Sequence, residues 1–310
     1  MESMNNLTDS ITNFILIGFP GLQDYKIILF GFFLAMFLVT CSGNLCILGL
    51  VILDQRLHTP MYFFLWNLSL LDVLMVTAIT PKMLAVFLEH NTISFAACFV
   101  QMYMIISFGA TEILLVAAMA YDRYVAVVKP LHYNVIINLK TCIVIAATVW
   151  MLGFLMPLIP VTLASYLPFC GSNEIMHCFC DYPTVISLAC TDVSSHAIGS
   201  LCLALIVVYV PFIFISSVEG KRKVFSTCLT HLLVVGLFYC PLLLSYVLPG
   251  AGVKLSTEAY NTMVIVGNII PPMLNPLIYS FRNKEIKNSI YKLFMGKRTI
   301  RSPNSQANLK

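Results

Sequence analysis

An acid and a base stand side by side at Asp122 and Arg123, ending a run that is apolar or small back to Glu112. In a soluble core such a pair would be costly to bury. At the water boundary of a membrane helix the desolvation is incomplete, and two uses are open. One is an ordinary snorkelling charge. The other is a lock that holds Arg123 in one state and frees it in another. Asp72 and Glu112, with Asn44 and Asn275, are the polar residues set deepest in apolar stretches. Ionisable groups inside a membrane are functional candidates by default. Two carboxylates facing one site invite a cation such as sodium, or share a proton. Hydrogen-bonded glue between helices is the structural alternative. A third cluster, "HCFC" at 177–180, offers His177, Cys178 and Cys180. These could begin a zinc site, or the cysteines could form disulfides with others on the same side of the membrane. Nothing resembles a phosphate loop, a nucleophile triad or a helix of metal ligands, so catalysis is not expected.

The elements that must carry these residues follow from composition. The 310-residue chain is 59% hydrophobic and 10% charged, with a net charge of +4, and its mean hydropathy is +0.88. Soluble domains carry about 25% charged residues, too many for this chain to be one. Stretches 27–53, 60–88, 93–128, 141–169, 197–218, 224–253 and 259–281 are each long enough for a span of about 20 apolar residues. Helices are the expected spanning form, because hydrocarbon offers the backbone no other partner. The fold class is therefore an all-α membrane protein, a seven-helix bundle. Residues 1–24 form the outer N-terminus, 25–281 the bundle, and 282–310 a cytoplasmic helix and tail. In that last stretch Ile286, Ile290, Leu293 and Phe294 share one helical face, which suits a short amphipathic helix on the inner leaflet and its lipids.

Orientation follows from the basic residues. One set of connections holds Arg56, Arg123, Lys129, Lys140, Lys221, Arg222, Lys223 and all those from Arg282 on; the other holds Lys26, Lys82 and Lys254. The N-terminus is then outside and the C-terminus cytoplasmic. Asn6, in "NLT", is a glycosylation acceptor on the outer side, whereas Asn67, in "NLS", lies within a span and is expected to stay unmodified.

Four motifs occur in order, each at a helix end: "LHTPMYFFLWNLSLLDV" (57–73), "MAYDRYVAVVKPLHY" (119–133), "KVFSTCLTHL" (223–232) and "PMLNPLIYSFRNKEIK" (272–287). Together they resemble the vertebrate olfactory receptors, within the rhodopsin-like G-protein-coupled receptors, over about residues 14–295. The resemblance implies odorant binding in the outer half and activation of a stimulatory, cAMP-raising heterotrimeric G protein at the plasma membrane. Its partners would include a trafficking chaperone and no nucleic acid. It assigns Asp122, Arg123 and Tyr124, Tyr239 beside Phe238, and Asn275, Pro276 and Tyr279 to the switch. It gathers Asn44, Asp72, Glu112 and Asn275 into one network. It pairs Cys98 with Cys180 and Cys170 with Cys190, leaving Cys178 over.

For the ligand, Met102, Ile105, Ile106, Gly109 and Ala110 recur at helical spacing on the third span, and Leu242, Leu243 and Tyr246 fall on the sixth. No Asp or Arg lies on these faces to pair with a charged ligand. A mainly hydrophobic volatile with one hydrogen-bonding group fits, with Tyr246 as its partner. Packing between helices is the alternative for the others. Against the family pattern, "PFIFISSVEGKRKVFSTC" (211–228) is short by about a dozen residues by eye, which brings helix five barely to the cytoplasm. The competing readings are a receptor for another lipophilic ligand, a seven-helix channel or transporter, and a receptor-like chain that does not signal.

Overall fold

The computed structural model describes residues 11–217, 253, 255–282 and 284–295. Long helices α1 (Lys26–Leu53), α2 (Pro60–Phe87), α3 (Phe95–Val128) and α5 (Leu139–Ser165) are long and apolar enough to cross a membrane. Short α4 (Tyr133–Ile136) and α6 (Tyr182–Ile186) lie in connections, and α7 (Ser194–Ser217), α8 (Thr257–Arg282) and α9 (Lys284–Met295) follow. The expected sixth span, 224–253, lies outside the described residues apart from Val253.

Local chemistry sets the ends of these helices. Pro60 opens α2, where its missing N–H is no loss. Ser94 caps α3 by accepting from Ala97 N–H at 3.3 Å, and Asn138 caps α5 by accepting from Thr141 N–H at 3.0 Å. The third span starts at Phe95 rather than 93, because Thr92–Ser94 forms a strand. The fourth ends at Ser165 rather than 169.

That strand belongs to a feature the all-α reading omits. Strands β1 (Asn13–Leu16), β2 (Thr92–Ser94) and β3 (Glu174–Ile175) form one sheet in the order β2-β1-β3. β1 runs antiparallel to β2, with Phe14 opposite Ile93, and parallel to β3, with Ile15 opposite Glu174. Phe14 and Leu16 point inward and are fully buried. The Phe14 ring packs against Phe95 and Phe169, with centroids 5.7 and 5.9 Å away. The sheet thus forms a lid over the N-terminal end of α3, the end expected to face outward.

Among the four long apolar helices, α3 is the most buried and α5 the least. α3 packs closely on α5 through Gly153: a Cβ there would stand 2.9 Å from the Thr111 Cα and closer still to its hydroxyl. Only glycine admits that approach. Asn67 is also turned inward, accepting from Trp150 Nε1 at 3.0 Å and donating to Phe63 O at 2.9 Å. An interior, hydrogen-bonded amide is beyond the reach of glycosylation. α8 meets α1 where Pro276 lies over Gly43, whose absent side chain leaves room for the ring. Pro276 has no N–H, so the Pro272 carbonyl loses its helical partner. Asn44 Nδ2 on α1 donates to that carbonyl at 2.9 Å instead.

Candidate functional site

Near the C-terminal end of α3, the end expected to face inward, Asp122 is buried and Arg123 partly exposed. Arg123 Nε lies 3.2 Å from Asp122 Oδ2. The second carboxylate oxygen accepts from the Tyr133 hydroxyl at 2.7 Å. Burial first, and the Asp122 carboxylate next, raise the Tyr133 phenol above its ordinary value, so it stays a donor. Tyr133 opens α4, and the turn before it presents Leu131, 93% exposed, beside this lock. Tyr124 is half-buried and packs against the core.

Also on the face expected to be cytoplasmic, Asp54 joins the first connection to α9. Arg56 Nε donates to its Oδ1 at 3.0 Å and Arg56 Nη2 to its Oδ2; Ser289 on α9 donates to Oδ2 at 2.6 Å. The Arg56 guanidinium, then the Ser289 hydroxyl, hold the Asp54 carboxyl well below the usual carboxylate range. Ile286 is buried in the main core and Ile290 packs against it, so this part of the α9 apolar face turns toward the bundle.

In the bundle interior, Asn275 Nδ2 donates to both oxygens of Asp72, at 3.1 and 3.2 Å. Both residues are buried, as are Asn44 and Glu112. The Glu112 carboxyl acts electrostatically on Asp72. Asn44 does not join that pair directly: its amide goes to the Pro272 and Thr40 carbonyls. Pro276 is buried beside Gly43. Tyr279 is in α8, and its side chain lies outside the described residues, as do Phe238, Tyr239 and Asn6.

At the outer end, disulfides join Cys98 to Cys180 and Cys170 to Cys190. The first ties the start of α3 to the segment after β3. Cys178 is a free, fully buried thiol, pushed up to about 12 by burial. His177 is fully buried too. Its Nδ1 accepts from Cys178 N–H at 2.9 Å and Phe179 N–H at 3.3 Å, and desolvation pushes it down to about 3. With Nδ1 committed to backbone donors and Cys180 in a disulfide, these residues do not make a zinc site. Among the described residues no group of three or more His, Cys, Asp or Glu could hold a metal ion.

Of the expected ligand residues, Met102 is buried in the lid cluster with Cys98, Phe99, Phe169 and Tyr182. Ile105 is buried in the main core. Ile106, Gly109 and Ala110 are part-buried, and Gly109 looks toward α2, where a Cβ would stand 3.8 Å from Met75 Cε. Leu242, Leu243 and Tyr246 lie outside the described residues. The sequence reading passed over several polar groups. Gln101 Nε2 donates to Ala78 O at 2.8 Å while its Oε1 accepts from Cys180 N–H at 3.1 Å. Tyr260 donates to Asp181, and Asn261 Nδ2 to Gly18 O at 2.7 Å. A polar side chain in an apolar stretch was the available signal for Gln101 and Asn261.

The geometry is that of a capped helical bundle with an acid–base pair at the end of α3 remote from the cap. The sequence model of a family described as olfactory receptor matches residues 33–297. Human olfactory receptor 6N1 is 44% identical over 295 residues, 90% of this chain and 94% of that protein. Human olfactory receptor 2A12 is 41% identical over 305 residues, 94% of this chain and 98% of its own. Mouse olfactory receptor 2A7 is 39% identical over 311 residues, 96% and 99% of the two chains. A match over 305 residues takes in only 94% of these 310, so the alignment opens gaps in this chain. Family match and relatives agree over nearly the whole length: the chain belongs to the olfactory receptor family, whose members are multi-pass membrane receptors and not enzymes.

Proposed function

We propose that this chain binds a small, mainly hydrophobic volatile in the outer half of the bundle and activates a stimulatory, cAMP-raising G protein. The observation that carries the reading is the inner lock. Asp122 holds Arg123 and is itself held by Tyr133, while Leu131 stands exposed in the adjoining turn. A buried carboxylate with two reversible partners is a two-state element that an agonist can bias through its differential affinity. Arg123, once released, and Leu131 then offer a charge and an apolar knob to a protein partner. The ligand class rests on the α3 face 102–110, which carries no charge.

The rest of the reading follows the same frame. Residues 1–24 are outside, 25–281 form the bundle and 282–310 are cytoplasmic, with α9 along the inner leaflet beside its lipids. Tyr246 hydrogen-bonds the ligand oxygen, and Tyr124, Tyr239, Asn275, Pro276 and Tyr279 belong to the switch. Asp72 and Glu112 hold sodium or share a proton; the oxygen-rich donor set suits either. Asn6 is glycosylated, and a trafficking chaperone assists delivery to the plasma membrane.

The test is cAMP output in cells at matched surface expression. Arg123→Ala silences an agonist response that the native chain gives, with ligand binding retained. A second reading, a receptor-like chain that does not signal, is favoured by the short 211–228 stretch. Restoring about twelve residues after Ile215, some 18 Å of helix, raises coupling if helix five is too short to reach its partner. Equal output from the native, extended and Arg123→Ala chains overturns the signalling reading.

A further inference from the structure

The outer end of α8 is fastened to the lid at three points within about one helical turn. Glu258 Oε1 accepts from Gly21 N–H at 3.2 Å, the Tyr260 hydroxyl donates to Asp181, and Asn261 Nδ2 donates to the Gly18 carbonyl at 2.7 Å. Gly18 N–H in turn donates to the His177 carbonyl at 3.2 Å. The N-terminal strap and segment 177–181 therefore hang together from α8. On the opposite side, segment 177–181 is fixed to α3 differently, by the Cys98–Cys180 disulfide and by Gln101 on the Cys180 N–H. The attachment to α3 includes a covalent bond; among the described residues the attachment to α8 is made by these hydrogen bonds and by the Tyr260 ring against His177.

We propose that the Tyr260–Asp181 and Asn261–Gly18 bonds form a releasable latch between α8 and the lid, which pivots on the Cys98–Cys180 bridge when the outer end of α8 moves. The lid then opens on the α8 side and stays attached on the α3 side. Any ligand that shifts α8 outward is coupled to lid position, and the reverse holds as well.

The molecule carries its own reporter for this motion. Cys178 lies under the strap: a Cβ on Gly18, whose φ is +74°, would come 3.5 Å from the Cys178 sulfur. Its thiol is shielded and, at about 12, almost wholly protonated at neutral pH. Only the thiolate reacts, so opening speeds alkylation both by access and by deprotonation.

This inference goes beyond the signalling reading, and its readout needs no G protein. Full-length receptor on intact cells is exposed to a membrane-impermeant maleimide, and the labelled fraction at Cys178 is read by peptide mass mapping. Tyr260→Phe keeps the ring against His177 and removes only the O–H. Asn261→Val removes the second bond. Each raises the labelling rate about tenfold, the effect of losing one hydrogen bond that holds the closed state. Lys82→Ala supplies the comparison. Its ammonium grips the lid from α2, bonding to the His90 and Thr92 carbonyls at 2.9 and 2.6 Å and to neither latch residue. Faster labelling with the α8 variants and not with Lys82→Ala supports the latch. Equal rates in all chains, or an equal rise in all three variants, overturn it.

Discussion

Cys98 and Asp122 lie near opposite ends of α3, roughly 36 Å apart along its axis, and each anchors one face of the molecule by a different kind of bond. Around Cys98 the lid is held by disulfides, a three-stranded sheet and inward aromatic rings. Around Asp122 and Asp54 the inner face is held by carboxylates, each shared between one arginine and one hydroxyl. Covalent and backbone bonds keep one geometry. Ion pairs whose arginine reaches water give way more readily, because water replaces what the guanidinium loses. The Cys98 attachment of the lid is therefore the more permanent, and the carboxylate-held contacts are the more exchangeable.

Four experiments test that contrast. Cys98→Ser should have the largest effect, because the bridge closes a long loop: about 2–5 kcal/mol of stability, read as a large loss of surface receptor and a lowered melting temperature. A free Cys98 thiol in folded native receptor, found by peptide mapping, would remove the basis for that expectation. Acid should act next. His177 titrates near 3 when folded and near 6.5 when unfolded, so the unfolded chain binds the extra proton between those values. Stability should therefore fall as pH drops below about 6.5, by about 2 kcal/mol at pH 5, and level off near pH 3. His177→Phe should flatten that part of a melting profile. Ser289→Ala removes one hydrogen bond from Asp54 and should cost about 1 kcal/mol, visible as faster proteolysis of α9 with the lid unaffected. Lys26→Ala should do least. Its 3.1 Å pair with Glu89 is exposed, and a change within about 1 kcal/mol in melting is expected. A larger shift would mean that the lid depends on surface charge, against the contrast drawn above.

The Asp122–Arg123 pair was legible in the sequence because an acid and a base ending an apolar run have few uses, and because their neighbours repeat a family motif. Tyr133 belongs to that motif, yet its bond to Asp122 was not foreseen: nothing in the sequence tells that the chain folds back through a 3-10 turn at Pro130–His132. The apolar stretches located four long helices to within a few residues; the fourth begins at Leu139 rather than 141, and the other differences fall at the ends that face the lid. There Thr92–Ser94 and the residues after Ser165 read as apolar continuation. The lid itself was invisible. β1 has four residues and β3 two, too few for alternation to register. Their pairing depends on positions far apart in the chain. The spacing of Ile286, Ile290, Leu293 and Phe294 marked one face of α9 in the sequence, and what the sequence did not tell is that Ile286 and Ile290 on that face pack on the bundle core.

The register of the lid has a consequence for biosynthesis. β1 is the middle strand, yet it emerges from the ribosome first, and its partners at Thr92 and Glu174 follow only after further helices have been made. At about 5–20 residues per second, the interval between Ile15 and Glu174 is roughly 10–30 s. Through that interval Phe14 lacks Phe169, and the backbone of β1 has at most one neighbour. The nascent chain therefore passes its greatest exposure to mispairing before α7 (Ser194–Ser217) exists, and the sheet can close before the end of α8 that fastens it has been made.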